Sequence, residues 1–240
     1  MSNSPKPSIV FTARVAVVLA LLLPPLRVRL LFVRDERDAY QLVRRCARRV
    51  VSLSGIRIAV SHPDRMPDEG ASMLVSNHVS IADAAVLVAA LPFDVRFVAN
   101  HIYAQYPILG PIIRGASANI VNRSSWRSRA DSGHAMQQAL ATGRSLLVFP
   151  EGTTSDSGAL LPFRSGAFRA AARTGRPIVP LAVRGTRELM PADSWLLANA
   201  PIAIEILPPI AATDSTREGV GALTERTADA IRAALALRST

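Results

Sequence analysis

At 240 residues, 49% of them hydrophobic, the chain has the length and apolar content for one sizeable domain with a buried core, which excludes disorder as its main state. Aromatic residues make up only 5%, so the core has to be built from Val, Leu, Ile and Ala, the composition of strands buried on both faces. A single Cys46 excludes an internal disulfide, no cysteine or histidine cluster completes a zinc-ligand set, and no metal site is expected. The formal charge of +10 is unevenly spread: residues 1–50 hold ten arginines and lysines against three acids, a local excess of +7. Nucleic acid is disfavoured as the partner, because this basic region adjoins an apolar run and lacks the basic-aromatic interleaving of single-strand binders. Anionic phospholipid headgroups fit it better.

Ile9 to Leu31 is apolar enough to enter a bilayer but is interrupted by Arg14, Pro24, Pro25, Arg27 and Arg29. Two prolines in succession predict a break or kink, so a helix, break, helix element in one leaflet is expected at least as strongly as a straight span. No small-x-small pattern follows the run, which argues against a cleaved leader. If the segment spans, the arginines on its C-terminal side place the remainder on the cytoplasmic face of the cell membrane. Ala39 to Val50 then reads as a basic amphipathic helix able to lie on headgroups. These features predict an N-terminal basic membrane-binding helical segment over residues 1–50 and a second domain over 51–240.

Within the second region, short apolar strands are predicted at Ile56 to Val60, Ser72 to Ser76, Val95 to Ala99, Asn119 to Val121, Ser145 to Phe149, Ile178 to Val183 and Ile202 to Leu207. Helices are predicted at Ile81 to Leu91, Ser128 to Thr142, Gly166 to Thr174 and Arg217 to Leu237. Strands alternating with helices of this length predict an α/β fold with a mostly parallel or mixed sheet flanked by helices.

Four blocks in this region carry chemistry. Asn77 to Asp83 lies where an apolar strand gives way to a helix, the place where sites form in open α/β sheets. His78 can take a proton from an alcohol, and a carboxylate on its other ring nitrogen fixes the tautomer. Asp83 can supply that carboxylate only if His78 precedes the helix and Asp83 sits in its first turn, since five residues is not a same-face helical spacing. The seven residues alone read equally well as a loop histidine and a favourable first-turn acid. Phe149 to Ser155 ends another apolar strand, and Glu151, Gly152 and Thr153 form either a turn suited to holding a phosphate or polar headgroup or, the stronger reading of the block alone, an ordinary Gly-containing loop. Gly115 to Arg123 is a short strand delivering Arg123, whose planar fork suits a phosphate or carboxylate. Pro177 to Val183 reads as a buried strand with Pro180 at its start or at a bulge.

In this order and at these intervals, the four blocks resemble the glycerophospholipid acyltransferase family, of the 1-acyl-sn-glycerol-3-phosphate acyltransferase type, from about Leu74 to Val183. The resemblance implies that His78, oriented by Asp83, deprotonates the hydroxyl of a lysolipid acceptor. That hydroxyl would attack the thioester of acyl-CoA or acyl-carrier protein, with Arg123, Glu151, Gly152 and Thr153 holding the acceptor. It also implies no metal, no cofactor beyond the acyl thioester co-substrate, no covalent acyl-enzyme, and an N-terminal membrane-binding element. Thr154, Ser155 and Asp156 depart from the Arg that often follows the Glu-Gly-Thr block, and Asn122 and Asn100 stand where charged residues are common. The run from Phe149 to Phe168 is also similar to the lyso-ornithine-lipid branch, whose acceptor is an aminolipid.

Other readings fit less. A lipid esterase or thioesterase would need a nucleophile, and no Gly-x-Ser-x-Gly elbow occurs. A non-catalytic membrane adaptor would leave the four blocks unexplained. His62, His101 and His134 read as loop or surface residues, and Trp126 and Trp195 as scattered packing residues more readily than as residues at a lipid interface.

Overall fold

The computed structural model describes residues 5–67, 70–91, 94–100, 105, 109–121, 126–155, 158–191 and 194–236. Two helices come first, α1 (Ile9–Phe32) and α2 (Glu36–Ser54), followed by β1 (Ile58–Ser61), β2 (Met73–Ser76) and α3 (Ala82–Ala90). β3 (Val95–Asn100), α4 (Leu109–Ala116), β4 (Ser117–Val121), α5 (Trp126–Ala141) and β5 (Ser145–Val148) come next. The chain ends with α6 (Gly166–Thr174), β6 (Ile178–Arg184), α7 (Thr186–Leu189), β7 (Ile202–Ile206) and α8 (Arg217–Ala236).

The strands form one sheet in the order β1-β7-β6-β2-β5-β3-β4. β6, β2, β5, β3 and β4 run parallel, whereas β7 is antiparallel to β6 and carries β1 parallel to itself. The expected α/β fold with a mixed sheet flanked by helices is thus the one adopted. Alternation along the strands divides the core in two, as the two-residue side-chain period requires. Leu74, Leu147, Val179, Leu181 and Val183 face one cluster together with Phe11, Val15, Val43, Val86 and Leu87. Met73, Val75, Leu146, Val148, Ile178 and Ala182 face the other, with Leu140, Phe168, Leu223 and Ile231. β2 lies between β6 and β5 and all four of its residues are buried.

Pro180 is the third residue of β6 rather than its start, and pairs with Val75. Its carbonyl accepts from Leu207 N, just past the end of β7. The missing N–H therefore points to the β7 side, outside that strand's ladder, and costs the sheet no bond to β2.

Of the two readings left open for the N-terminal apolar run, the structure adopts the continuous helix. α1 runs unbroken through Pro24 and Pro25. Two prolines remove only the two main-chain donors that would reach Ala20 and Leu21, and packing against α2 and the domain holds the rest. Phe11, Val15, Val18 and Leu26 are buried, whereas Ile9, Val10, Val17, Leu21, Val28, Leu31 and Phe32 are exposed. α1 is thus apolar on both sides, one on the domain and one outward, and is long and apolar enough to cross a membrane.

α2 passes through residue 50 and packs on α3 with Tyr40 and Val43 buried. Several of its arginines serve the fold. Arg44 donates to Leu91 O and Arg48 Nε to Ala89 O at 3.0 Å, satisfying free carbonyls at the C-terminal end of α3 where a cation also meets the helix dipole. Arg14, the charge that interrupts the apolar run, donates from Nε to Leu53 O at 2.7 Å and does the same for α2. Trp195 is 99% exposed, and its loop holds the start of α1 through Ser8 N to Leu197 O and Leu197 N to Thr12 Oγ1. The side chain of Trp126 and the whole of His101 lie outside the described residues.

The turn from β6 into α7 needs glycine at 185: φ is +88°, and a Cβ there would sit 2.1 Å from Pro201 O. We expect Gly185→Ala to lower unfolding stability by about 1–3 kcal/mol, read as a fall in the urea midpoint.

Candidate active site

The site is a product of strand register. Val75 of β2 pairs with Val148 of β5, so three residues further along both chains His78 and Glu151 arrive side by side at the C-terminal edge of the sheet. On the other flank, Ser76 pairs with Leu181 of β6. There Asn77, 1% exposed, extends the ladder with its side chain: Nδ2 donates to Val183 O at 2.9 Å, and Oδ1 accepts from Val183 N at 2.8 Å. This clasp fixes the residue before His78 to the central strands.

His78 precedes α3 and Asp83 lies in the first turn of that helix, the arrangement their spacing demanded. His78 Nδ1 is 2.9 Å from Asp83 Oδ2. The same oxygen accepts Val79 N at 2.8 Å and Ser80 N at 2.9 Å, so one carboxylate oxygen satisfies two main-chain donors ahead of α3 and orients the ring. Asp83 is wholly buried, and its other oxygen has no hydrogen-bond partner among the described residues. The buried charge requires a donor at Nδ1, which makes Nδ1–H the tautomer and leaves the Nε2 lone pair free. Among the described residues Nε2 has no hydrogen-bond partner, and the side chain is 19% exposed. The ring stacks on Phe149 at 4.1 Å between centroids, which restricts its rotation.

Glu151 occupies a place that residue types alone did not reveal. Its Oε1 accepts His78 N at 2.7 Å and its Oε2 accepts Leu161 N at 2.8 Å, with the residue only 4% exposed. Both oxygens are therefore engaged by main-chain donors of the chain itself. Ser155 N donates to His78 O at 3.0 Å, so the main chain of His78 is held on both its N–H and its C=O by the loop after β5. Burial pushes the Glu151 carboxyl above its usual value, opposed by the N–H bonds from Leu161 and His78 and by the proximity of His78. Gly152 has φ +78° and donates to Phe149 O at 3.1 Å, and Thr153 is exposed beside it. Arg123 lies outside the described residues.

Residues 57–184, which carry every element of this site, match the family model described as acyltransferase. The chain belongs to the acyltransferase family. It is 29% identical over 150 residues to a 1-acyl-sn-glycerol-3-phosphate acyltransferase from Cocos nucifera, covering 62% of this chain and 49% of that protein. It is 31% identical over 168 residues to the Limnanthes alba protein of the same name, covering 70% and 59% respectively. The chain thus spans about half to three-fifths of the length of these plant relatives. Its fold resembles the crystal structure of the 1-acyl-sn-glycerophosphate acyltransferase from Thermotoga maritima, with a TM-score of 0.73, 21% identity, and coverage of 95% of this chain and 96% of that one.

Two predictions come from Glu151. In Glu151→Gln an amide NH2 faces a main-chain N–H, one of the two bonds is lost, and His78 shifts. We expect kcat to fall by up to about 10²-fold with KM for the acceptor little changed, whereas a headgroup contact would raise KM instead. The second concerns pH. Because burial raises this carboxyl in the folded chain, the native state keeps its proton where the unfolded chain, at about 4.5, has released it. The group's contribution to stability therefore declines as pH rises from that value through the folded one. Urea midpoints measured across that window should fall less with pH in Glu151→Gln than in the wild type.

Proposed function

We propose that the protein transfers a fatty acyl group from a thioester, acyl-CoA or acyl-carrier protein, to the free hydroxyl of a lysolipid of the lysophosphatidate type, at a membrane surface. The observation that carries the reading is His78 Nδ1 bound to buried Asp83 with Nε2 left open at the C-terminal edge of β2. The names of the plant relatives support the acceptor class.

In the reaction, Nε2 of His78 takes the acceptor's hydroxyl proton as its oxygen attacks the thioester carbonyl carbon. The new C–O bond forms, the C–S bond breaks, and the proton passes from His78 to the departing thiolate. Asp83 stabilises the imidazolium present between these two transfers. No enzyme nucleophile is required, and the path needs neither metal nor cofactor. The Gly152 and Thr153 turn and Arg123 are proposed to hold the acceptor's headgroup. The outward apolar face of α1 is proposed to enter the lipid with the active site on the cytoplasmic face, where acyl thioesters are available.

His78→Ala should abolish transfer of acyl groups to lysophosphatidate while vesicle co-sedimentation is unchanged. Asp83→Asn keeps an oxygen for the N–H donors but loses the charge, and we expect kcat to fall by about 10²–10⁴-fold. Thioester consumption and lipid product are followed together, with lyso-ornithine lipid as a parallel acceptor. Thioester loss without an acylated lipid would assign the site to hydrolysis, and substantial activity in His78→Ala would remove the mechanism.

A further inference from the structure

The arginines of α1 and α2 fall into two groups. Arg14, Arg44 and Arg48 bond helix-end carbonyls, and Arg37 pairs with Asp94 at 3.7 Å. Arg29, Arg45 and Arg49 have no hydrogen-bond or ion-pair partner among the described residues, yet all three border the same cavity of about 450 Å³ between the two helices. Among the described residues Arg27 and Arg34 also have no hydrogen-bond or ion-pair partner, but they do not line it.

Helical spacing builds this groove. Leu22, Leu26 and Arg29 share one face of α1, and Leu42, Arg45, Cys46 and Arg49 share the facing side of α2. The floor is apolar and the border is cationic, with no acid among the lining residues. Three exposed guanidinium groups gathered without a counter-charge repel one another, and an anion placed among them removes that cost. The volume lies within the range of ligand pockets, and the groove opens beside a helix whose outward face is apolar. It shares no residue with the His78 site.

We propose that this groove binds one anionic phospholipid drawn from the bilayer, its phosphate on Arg29, Arg45 and Arg49 and an acyl chain along Leu22, Leu26 and Leu42. The lipid is a resident ligand that fixes the α1–α2 pair on the membrane, separate from the substrates. The proposal rests on the membrane part of the proposed function and goes beyond it.

The test uses the full chain in non-ionic detergent, offered phosphatidylglycerol or phosphatidylcholine, with bound lipid read by native mass spectrometry. One phosphatidylglycerol should be retained per chain in preference to phosphatidylcholine. Replacing Arg29, Arg45 and Arg49 together by Gln should weaken that retention on the order of 10²-fold. Leu42→Trp, which fills the groove and keeps every charge, should also lose the lipid, whereas replacing Arg217, Arg226 and Arg232 of α8 by Gln should not. Equal retention of both lipids, retention by the triple variant, or retention by Leu42→Trp overturns the proposal, the last assigning the attraction to diffuse charge. Acylation of a short-chain lysophosphatidate in solution should persist in the groove variants and be absent in His78→Ala. Mole-for-mole displacement of phosphatidylglycerol by lysophosphatidate, with a raised acceptor KM in the triple variant, would instead make the groove part of the substrate site.

Discussion

A single buried oxygen, Oδ2 of Asp83, organises the site. It accepts the main-chain N–H groups of Val79 and Ser80 and stands 2.9 Å from Nδ1 of His78. The chain leaving β2 would otherwise reach α3 with those donors unsatisfied beside a buried charge. Folding of the loop and orientation of the ring are thus one event. Asp83 cannot be replaced without disturbing both the loop and the ring, and only its charge, which Asn lacks, separates the proposed catalytic role from the structural one.

The sheet makes that oxygen useful. Register between β2 and β5 brings Glu151 to the His78 main chain, and register between β2 and β6 brings Asn77 to Val183. His78 is therefore held at its own N–H and C=O and at the preceding side chain, before its ring meets Asp83 and Phe149. Such support on rigid elements holds the imidazole to within a few tenths of an ångström, as the proposed proton transfer would require. The opposite side of the sheet, lined by α5, α6 and α8, supplies packing with no part in this constellation.

What could be read from the chain follows from the range of each interaction. His78 and Asp83 are five residues apart, so spacing and the strand-to-helix transition made the pair possible, and the three other blocks in register tipped an even choice toward it. The fold class was legible because apolar runs and helical segments alternate. Glu151 was singled out as a residue but its hydrogen bonds were not legible, because its partners are main-chain N–H groups of His78, 73 positions away, and of Leu161. Main-chain donors leave no mark in side-chain identity. Arg14, Arg44 and Arg48 were hidden in the same way: a guanidinium bound to a helix-end carbonyl reads in sequence like one of the arginines left free to face lipid. Pro24 and Pro25 signalled a break that tertiary packing against α2 overrides, and Trp195 was read as a packing residue although it is 99% exposed beside the start of α1.

The central claim is that Asp83 holds the His78 ring with its proton on Nδ1 and leaves Nε2 to act as the base. A ¹⁵N–¹H correlation spectrum of the imidazole ring, assigned with a His78-substituted variant as reference, tests this directly. The account predicts the Nδ1–H tautomer in the wild-type protein and its loss from a single populated state in Asp83→Asn. A resonance pattern of the Nε2–H tautomer in the wild type, with Nδ1 unprotonated, would contradict it.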